Sequence, residues 1–83
     1  MTIAQHTILA AEDLIDRLKR RPTNLEDVVG QAQRLAHDLR YDARLTYLNG
    51  RVIRSRELNR LAARIERQVY RVSQTLLERA AAR

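Results

Sequence analysis

The chain has 83 residues and a formal net charge of +6, and it contains no cysteine, phenylalanine or tryptophan. This length accommodates one domain, since two separate cores would each approach the limit of about 40 residues below which disulfides or metals are usually required. The lack of cysteine excludes disulfides, and two histidines alone do not complete a zinc site. A core of Leu, Ile, Val and Ala suits helices that meet along narrow seams, so we predict an all-α single domain over residues 1–83 without a metal or other cofactor.

The first predicted helix spans residues 3–20. Thr2 and Gln5 have the spacing of a capping box at its start. Apolar residues then recur at intervals of three and four: Ile3, Ala4, Ile8, Ala11, Ile15 and Leu18. Basic residues crowd the last turn, where the helix dipole favours cations. Pro22 ends the helix, because the residue before a proline is disfavoured in the α region.

The second predicted helix spans residues 24–48. Thr23 and Glu26 form a second capping box, which predicts Thr23 as the N-cap. The apolar seam consists of Leu25, Val28, Val29, Ala32, Leu35, Ala36 and Leu39. Gly30 interrupts this pattern: it either permits a close approach between helices or is a tolerated glycine that costs about 1 kcal/mol relative to alanine.

Two interpretations compete for residues 41–55. In the first, the second helix runs on to Leu48 and Asn49-Gly50 ends it, with the left-handed conformation that closes many helices. In the second, Asn49-Gly50 is the type I′ turn of a β-hairpin joining residues 45–48 to residues 51–54, and Ser55 caps the final helix. We prefer the helical hairpin, because a two-stranded ribbon is marginal unless it packs on something.

The third predicted helix spans residues 51–82 and carries an apolar stripe on one face and a basic row on the other. The stripe consists of Leu58, Leu61, Ala62, Ile65, Val69, Val72, Leu76 and Ala80. The basic row, called the arginine strip below, consists of Arg56, Arg60, Arg64, Arg67 and Arg71. At about 100° per residue the strip falls roughly opposite Ile65, so it cannot belong to the core.

We expect these helices to form an antiparallel three-helix bundle with a long C-terminal helix. At about 1.5 Å per residue the helices measure roughly 27, 37 and 50 Å, so the third overhangs the others. In addition, Tyr41, Leu45 and Leu48 present a second apolar face on the second helix. Apolar surface without cover from its own chain needs a partner, so we predict that a symmetric homodimer completes the bundle.

No window approaches the roughly 18 consecutive apolar residues of a membrane span, and the N-terminus lacks the basic-then-apolar order of a secretory signal. We therefore expect a cytoplasmic protein without membrane contact. The positive charge is uneven: residues 1–40 hold six acidic and six basic residues, whereas residues 41–83 hold four acidic and ten basic residues. All the basic residues except Lys19 are arginine, whose planar fork suits phosphate and carboxylate groups.

Residue types that serve in catalysis do not form a credible set. Ser55 and Ser73 are possible nucleophiles, but neither lies in a glycine-rich elbow, and Ser55 suits an N-cap. His37 and Asp38 are adjacent, and neighbours on a helix point about 100° apart. We predict that the protein is not an enzyme.

The carboxylates of the first helix are better explained by ion pairs than by a metal or catalytic site. Asp13 precedes Arg17 by four residues, and Asp16 precedes Arg20 by the same distance. Such pairs are worth a few tenths of a kcal/mol each on a helix surface. Glycine-rich motifs that hold phosphate are absent from the sequence.

The arginine strip carries the main functional prediction. Five guanidinium groups along about 22 Å of helix could follow a phosphate backbone and release its counterions. The predicted polyanion-binding residues are Arg44, Arg51, Arg54, Arg56, Arg60, Arg64, Arg67 and Arg71. Glu57 and Glu66 partly neutralise this face, and Tyr70 at its edge could stack on a base. The helices are too long for a helix-turn-helix, so we predict docking on nucleic acid or a nucleoprotein complex without base-specific readout.

The alternative is a protein-binding module: an adaptor, anti-activator or stoichiometric inhibitor that covers an acidic surface of a larger protein. Interfaces favour arginine and tyrosine over lysine, which matches this composition. The predicted protein interface consists of Tyr41, Leu45, Tyr47 and Leu48. Charge reversal along the strip should abolish nucleic-acid binding progressively, whereas a protein interface should depend most on these four residues.

Overall fold

The computed structural model describes residues 5–82 and consists of three α-helices packed together, with no strand in that range. The helices are α1 (Gln5–Arg20), α2 (Leu25–Leu48) and α3 (Val52–Ala81). They lengthen along the chain, from 16 to 24 to 30 residues. The all-α prediction is confirmed, while the capping box at Thr2 and the seam positions Ile3 and Ala4 lie outside the described residues.

The core is aliphatic, and each helix contributes the apolar seam that its three-and-four spacing predicts. The buried apolar residues are Ala11, Ile15, Leu18, Leu25, Val28, Ala32, Ala36, Leu39, Ala43, Leu58, Leu61, Ala62, Ile65, Val69 and Val72. The stripe of α3 emerges from the core near its end, where Leu76 is half-buried and Ala80 is exposed. None of the described helices has a stretch long and apolar enough to cross a membrane.

The start of α2 differs from the predicted capping box. Asn24 is the N-cap residue, and no side-chain hydrogen bond caps the helix. The backbone N–H of Val28 donates to the carbonyl of Asn24 at 3.2 Å, which closes the first turn. Thr23 therefore lies one position too far from the helix to act as its cap, and the prediction of a Thr23–Glu26 capping box is wrong.

The connection between α2 and α3 is the end of a helix and not a β-hairpin. The N–H of Gly50 donates to the carbonyl of Tyr47, and the N–H of Arg51 donates to the carbonyl of Thr46, both at 2.9 Å. These two bonds, with Gly50 at φ +81°, form a Schellman motif. The preferred helical alternative is thus correct for residues 41–55, and the β-hairpin alternative is wrong.

Ser55 lies inside α3, so its predicted role as an N-cap is also wrong. The helix begins at Val52, three positions before Ser55, and Arg51 is its N-cap residue. The Ser55 side chain is instead buried, and its hydroxyl donates to the carbonyl of Ala43 on α2 at 2.8 Å. Serine is small enough to fit where α2 and α3 pack together, and this hydrogen bond satisfies its buried hydroxyl.

A second polar contact joins α2 to α3 on the surface. Arg40 donates from Nη1 to Oδ1 of Asn59 at 3.0 Å and from Nη2 to Oε1 of Glu66 at 2.5 Å. Both ends of the ion pair remain about half exposed, so its net contribution to stability is small. The contact shows that the Glu66 carboxylate lies on the side of α3 that faces Arg40.

Candidate polyanion-binding surface

All five side chains of the arginine strip are exposed on α3. They recur at intervals of four, four, three and four residues, which keeps them on one side of the helix over about 22 Å. Ile65, on the opposite side, is fully buried. The same periodicity that builds the apolar stripe therefore aligns the guanidinium groups in solvent.

Glu66 does not neutralise the strip. It adjoins Arg67 in sequence, so it points about 100° away from that residue around the helix, and its carboxylate pairs with Arg40 on α2. Two ion pairs occur in residues 5–82: this one and a pair between Arg17 and Asp13 at 3.0 Å. Within that range no arginine of the strip forms an ion pair with a carboxylate, although the exposed Glu57 lies three residues before Arg60 on the same helix.

Of the two ion pairs predicted on α1, one is present among the described residues. Arg17 and Asp13 form the first of them, with both side chains more than half exposed. No ion pair joins Asp16 to Arg20 in the part of the chain that the structure describes. Exposed pairs of this kind are too weak to hold two side chains in one geometry.

The strip borders a basic cleft between α1 and α3. The cleft has a volume of about 390 Å³, and its lining residues are Ile15 and Lys19 of α1 with Arg64, Arg67, Gln68 and Arg71 of α3. Four of these six side chains are cations, and none is a carboxylate. The Nε atom of Arg67 also donates to the carbonyl of Ala63 at 3.5 Å, one turn earlier.

Lys19 was not among the residues predicted to bind a polyanion. In the sequence, Lys19 lies in the last predicted turn of the first helix, and the helix dipole favours a positive charge there. That position alone accounted for the residue. Its second property, proximity to three arginines of α3, depends on how the two helices pack. One feature of the sequence could have predicted this proximity: Lys19 follows the seam residue Ile15 by four residues, so the two lie next to each other on the surface of α1.

The other predicted arginines do not extend the strip as one surface. Arg44 follows Arg40 by one turn, so it lies on the side of α2 that reaches Glu66 and not on the side of the strip. Arg51 is exposed at the N-cap of α3, and Arg54 is half-buried. The structure thus brings five of the eight predicted arginines into one row and leaves the remaining three around the α2–α3 turn.

The predicted protein interface is exposed, but it covers two sides of α2. Tyr41, Leu45 and Leu48 lie on one face at spacings of four and three residues, and these residues are 59%, 42% and 72% exposed. Tyr47 lies about 160° around the helix from Leu45. Sequence reasoning missed Val52 and Ile53, which follow the turn directly and are 40% and 76% exposed.

A groove between α2 and α3 gathers residues that are distant in sequence, including His37, Ser73, Glu66 and Tyr70. In the described part of the chain no hydrogen bond joins His37 to Ser73. The Glu66 carboxylate accepts a hydrogen bond from Arg40. Residues 5–82 also contain no group of three or more His, Asp or Glu side chains that could hold a metal ion.

The chain was compared with protein-family models, with curated proteins and with solved structures, and none of the three comparisons found a match.

Proposed function

We propose that this chain is a non-enzymatic binding module whose arginine strip docks on a polyanion, namely nucleic acid or a nucleoprotein complex. The observation that supports this most directly is the row of five exposed arginines on α3, none of which is paired with a carboxylate within the described residues. Arginines in one row can contact successive phosphates and release their counterions. The net charge of +6 adds a long-range attraction to any polyanion.

The first test is a titration of the purified protein against a generic duplex and a single strand over a range of salt concentrations. Submicromolar binding that weakens by orders of magnitude between about 50 and 200 mM salt is the expected result, because each neutralised phosphate contributes about 0.9 to the slope of log K against log salt. Absence of binding at low salt would refute the proposal.

A charge-reversal variant separates the strip from net charge. Replacing Arg60, Arg64 and Arg67 together by Glu should weaken binding by at least about 100-fold at low salt, since three phosphate contacts become repulsive. The matched control replaces the exposed residues Arg20, Arg34 and Arg79 by Glu, which lowers the net charge equally outside the strip. Circular dichroism checks that both variants stay helical. Equal losses in the two variants would show that net charge, and not the strip, governs binding.

The proposal also includes an antiparallel bundle that forms a homodimer. The contacts between α2 and α3 support the antiparallel order, because Ala43 meets Ser55 whereas the earlier residue Arg40 meets the later residues Asn59 and Glu66. The exposed apolar side chains next to the α2–α3 turn support dimerisation, because contiguous apolar surface of this kind marks interaction sites.

A second candidate function is an adaptor, anti-activator or stoichiometric inhibitor that covers an acidic protein surface. One observation favours it: Ile53 is 76% exposed and precedes Arg56 by three residues, so an apolar side chain continues the row of the strip. Buried apolar anchors flanked by arginine are typical of protein interfaces. Replacing Ile53 by Ser should leave nucleic-acid affinity unchanged within about twofold, whereas it should remove an anchor of a protein complex.

A further inference from the structure

We infer that one phosphodiester strand of the bound nucleic acid enters the cleft between α1 and α3, where Lys19 contacts it from the side opposite Arg64, Arg67 and Arg71. This inference rests on the proposed function and adds the place and the mode of binding. The strip alone would be a one-sided contact along α3. With Lys19 the contact becomes two-sided, and the first helix takes part in binding.

The dimensions of the cleft suit a short piece of backbone. Arg64 and Arg71 are seven residues apart, which corresponds to about 10.5 Å along the helix. Since successive phosphates of one strand advance by about 3.4 Å along the axis of a duplex and are farther apart along the strand itself, this length corresponds to at most about three phosphates. Gln68 adds an uncharged amide to the lining, and Ile15, which is otherwise buried, adds an apolar side chain at its base.

Electrostatics favours an anion in this position. Four cations line one cleft, and none of them forms an ion pair with a carboxylate in residues 5–82. Like charges held close together repel each other, and an anion placed among them removes that repulsion. Glu12 and Asp16 lie seven and three residues before Lys19 on α1, but neither lines the cleft. Glu12 and Asp16 therefore lie on the same helix as Lys19, but their carboxylates are not part of the cleft lining.

The test compares two variants that each lose one positive charge: Lys19→Gln at the cleft and Arg34→Gln on α2. Arg34 is exposed and does not line the cleft, and among the described residues its side chain forms a hydrogen bond only to the carbonyl of Gly30, at 3.4 Å. Fluorescence anisotropy with a labelled duplex, a labelled single strand and inorganic tripolyphosphate as competitor gives affinities across a salt series. Circular dichroism and the melting temperature confirm that each variant folds.

We expect Lys19→Gln to weaken duplex binding about tenfold at about 50 mM salt and to reduce the slope of log K against log salt by about 0.9, because one phosphate contact is lost. Arg34→Gln should change affinity less than about twofold and leave the slope unchanged. Equal behaviour of the two variants, with salt-dependent binding by the unmodified protein, would overturn the cleft while leaving the proposed function intact. If the unmodified protein binds neither nucleic acid, both proposals fail, and binding of tripolyphosphate alone would show a small-anion site instead of a backbone contact.

Discussion

The two glycines have different physical roles, although both lie in or beside α2. Gly50 adopts φ +81° and provides the left-handed residue of the Schellman motif. Gly30 lies within α2 without a positive φ, and a Cβ added to it would meet no atom of residues 5–82 within 4 Å. The hypothesis that Gly30 permits a close approach between helices is therefore wrong, and no packing constraint requires glycine at that position.

This difference predicts opposite effects of the same substitution. Gly30→Ala should stabilise the protein by up to about 1 kcal/mol, because alanine has the higher helix propensity and loses less backbone entropy on folding. Gly50→Ala should destabilise it by about 1 kcal/mol or more, because alanine is unfavourable in the left-handed region. Urea unfolding followed by circular dichroism measures both.

The pair also contains its own control. Each substitution adds one methyl group to a surface position, so a general effect of added apolar surface would shift both variants in the same direction. For a chain of this size a change of 1 kcal/mol moves the melting temperature by about 4–8 °C. A destabilised Gly30→Ala variant would mean that another group occupies the space beside Gly30.

At the scale of the elements, the packing of α2 on α3 depends on apolar seams and one buried polar contact. Ser55 is 5% exposed, and its hydroxyl reaches the carbonyl of Ala43 on the neighbouring helix. Such a hydrogen bond contributes about 1 kcal/mol net. It is also directional, so it favours one register of α3 along α2 over others that would satisfy the apolar seams equally well.

Ser55→Ala should therefore destabilise the protein by about 1 kcal/mol, because the interhelical hydrogen bond is lost while helix propensity improves slightly. Ser73→Ala is the matched control: Ser73 is half-buried on the same helix, and its hydroxyl forms no hydrogen bond in the part of the chain that the structure describes. Chemical unfolding of both variants is the measurement. An equal effect at the two positions would show that the Ser55 hydroxyl adds no specific stability.

The elements also show which features were predictable from the sequence. The faces of each helix follow from a local rule of about 100° per residue, so the apolar seams and the alignment of the strip were predicted from spacing alone. The stop at Asn49-Gly50 was predicted because asparagine and glycine readily adopt the left-handed conformation that closes a helix. These features depend on residues close together in the chain.

The features that were missed depend on which helix lies beside which. Glu66 was expected to neutralise the strip, but Arg40, 26 positions away in sequence, binds it. Lys19 was explained by its own helix, although it lines a cleft with three arginines of α3. The prediction of Thr23 as the N-cap was wrong by one residue. Threonine and asparagine are both favoured at the N-cap, so residue type does not decide between Thr23 and Asn24. The start of the helix depends instead on the burial of Leu25 in the core.

On the scale of the whole molecule, most of the exposed apolar side chains lie beside the α2–α3 turn, at one end of the arginine strip. The longest dimension is 51 Å and the shortest is 14 Å, so residues at the α2–α3 turn are far from those at the end of α3. Leu48 is 72% exposed near the turn, and Leu77 is 63% exposed near the other end of α3. The turn region has more such residues, since Tyr41, Leu45 and Ile53 are exposed there as well.

This distribution predicts where a second copy binds. Sedimentation equilibrium of the unmodified protein should give a dimer, and Leu48→Glu should give a folded monomer, because a carboxylate would be buried without a partner in the interface. The control is Leu77→Glu, which adds the same charge at a similarly exposed leucine and should leave the dimer intact.

The two variants distinguish three arrangements. Dissociation by Leu48→Glu alone places the interface at the α2–α3 turn, next to Tyr41 and Leu45. Dissociation by Leu77→Glu alone would move it to the end of α3 that extends beyond the core, and a monomeric unmodified protein would refute dimerisation. If the strip stays accessible on both copies in the first arrangement, each dimer presents two rows of arginines to the same polyanion. Leu48→Glu should then weaken binding to a long duplex more than binding to a short one, because linked sites gain from their high effective concentration.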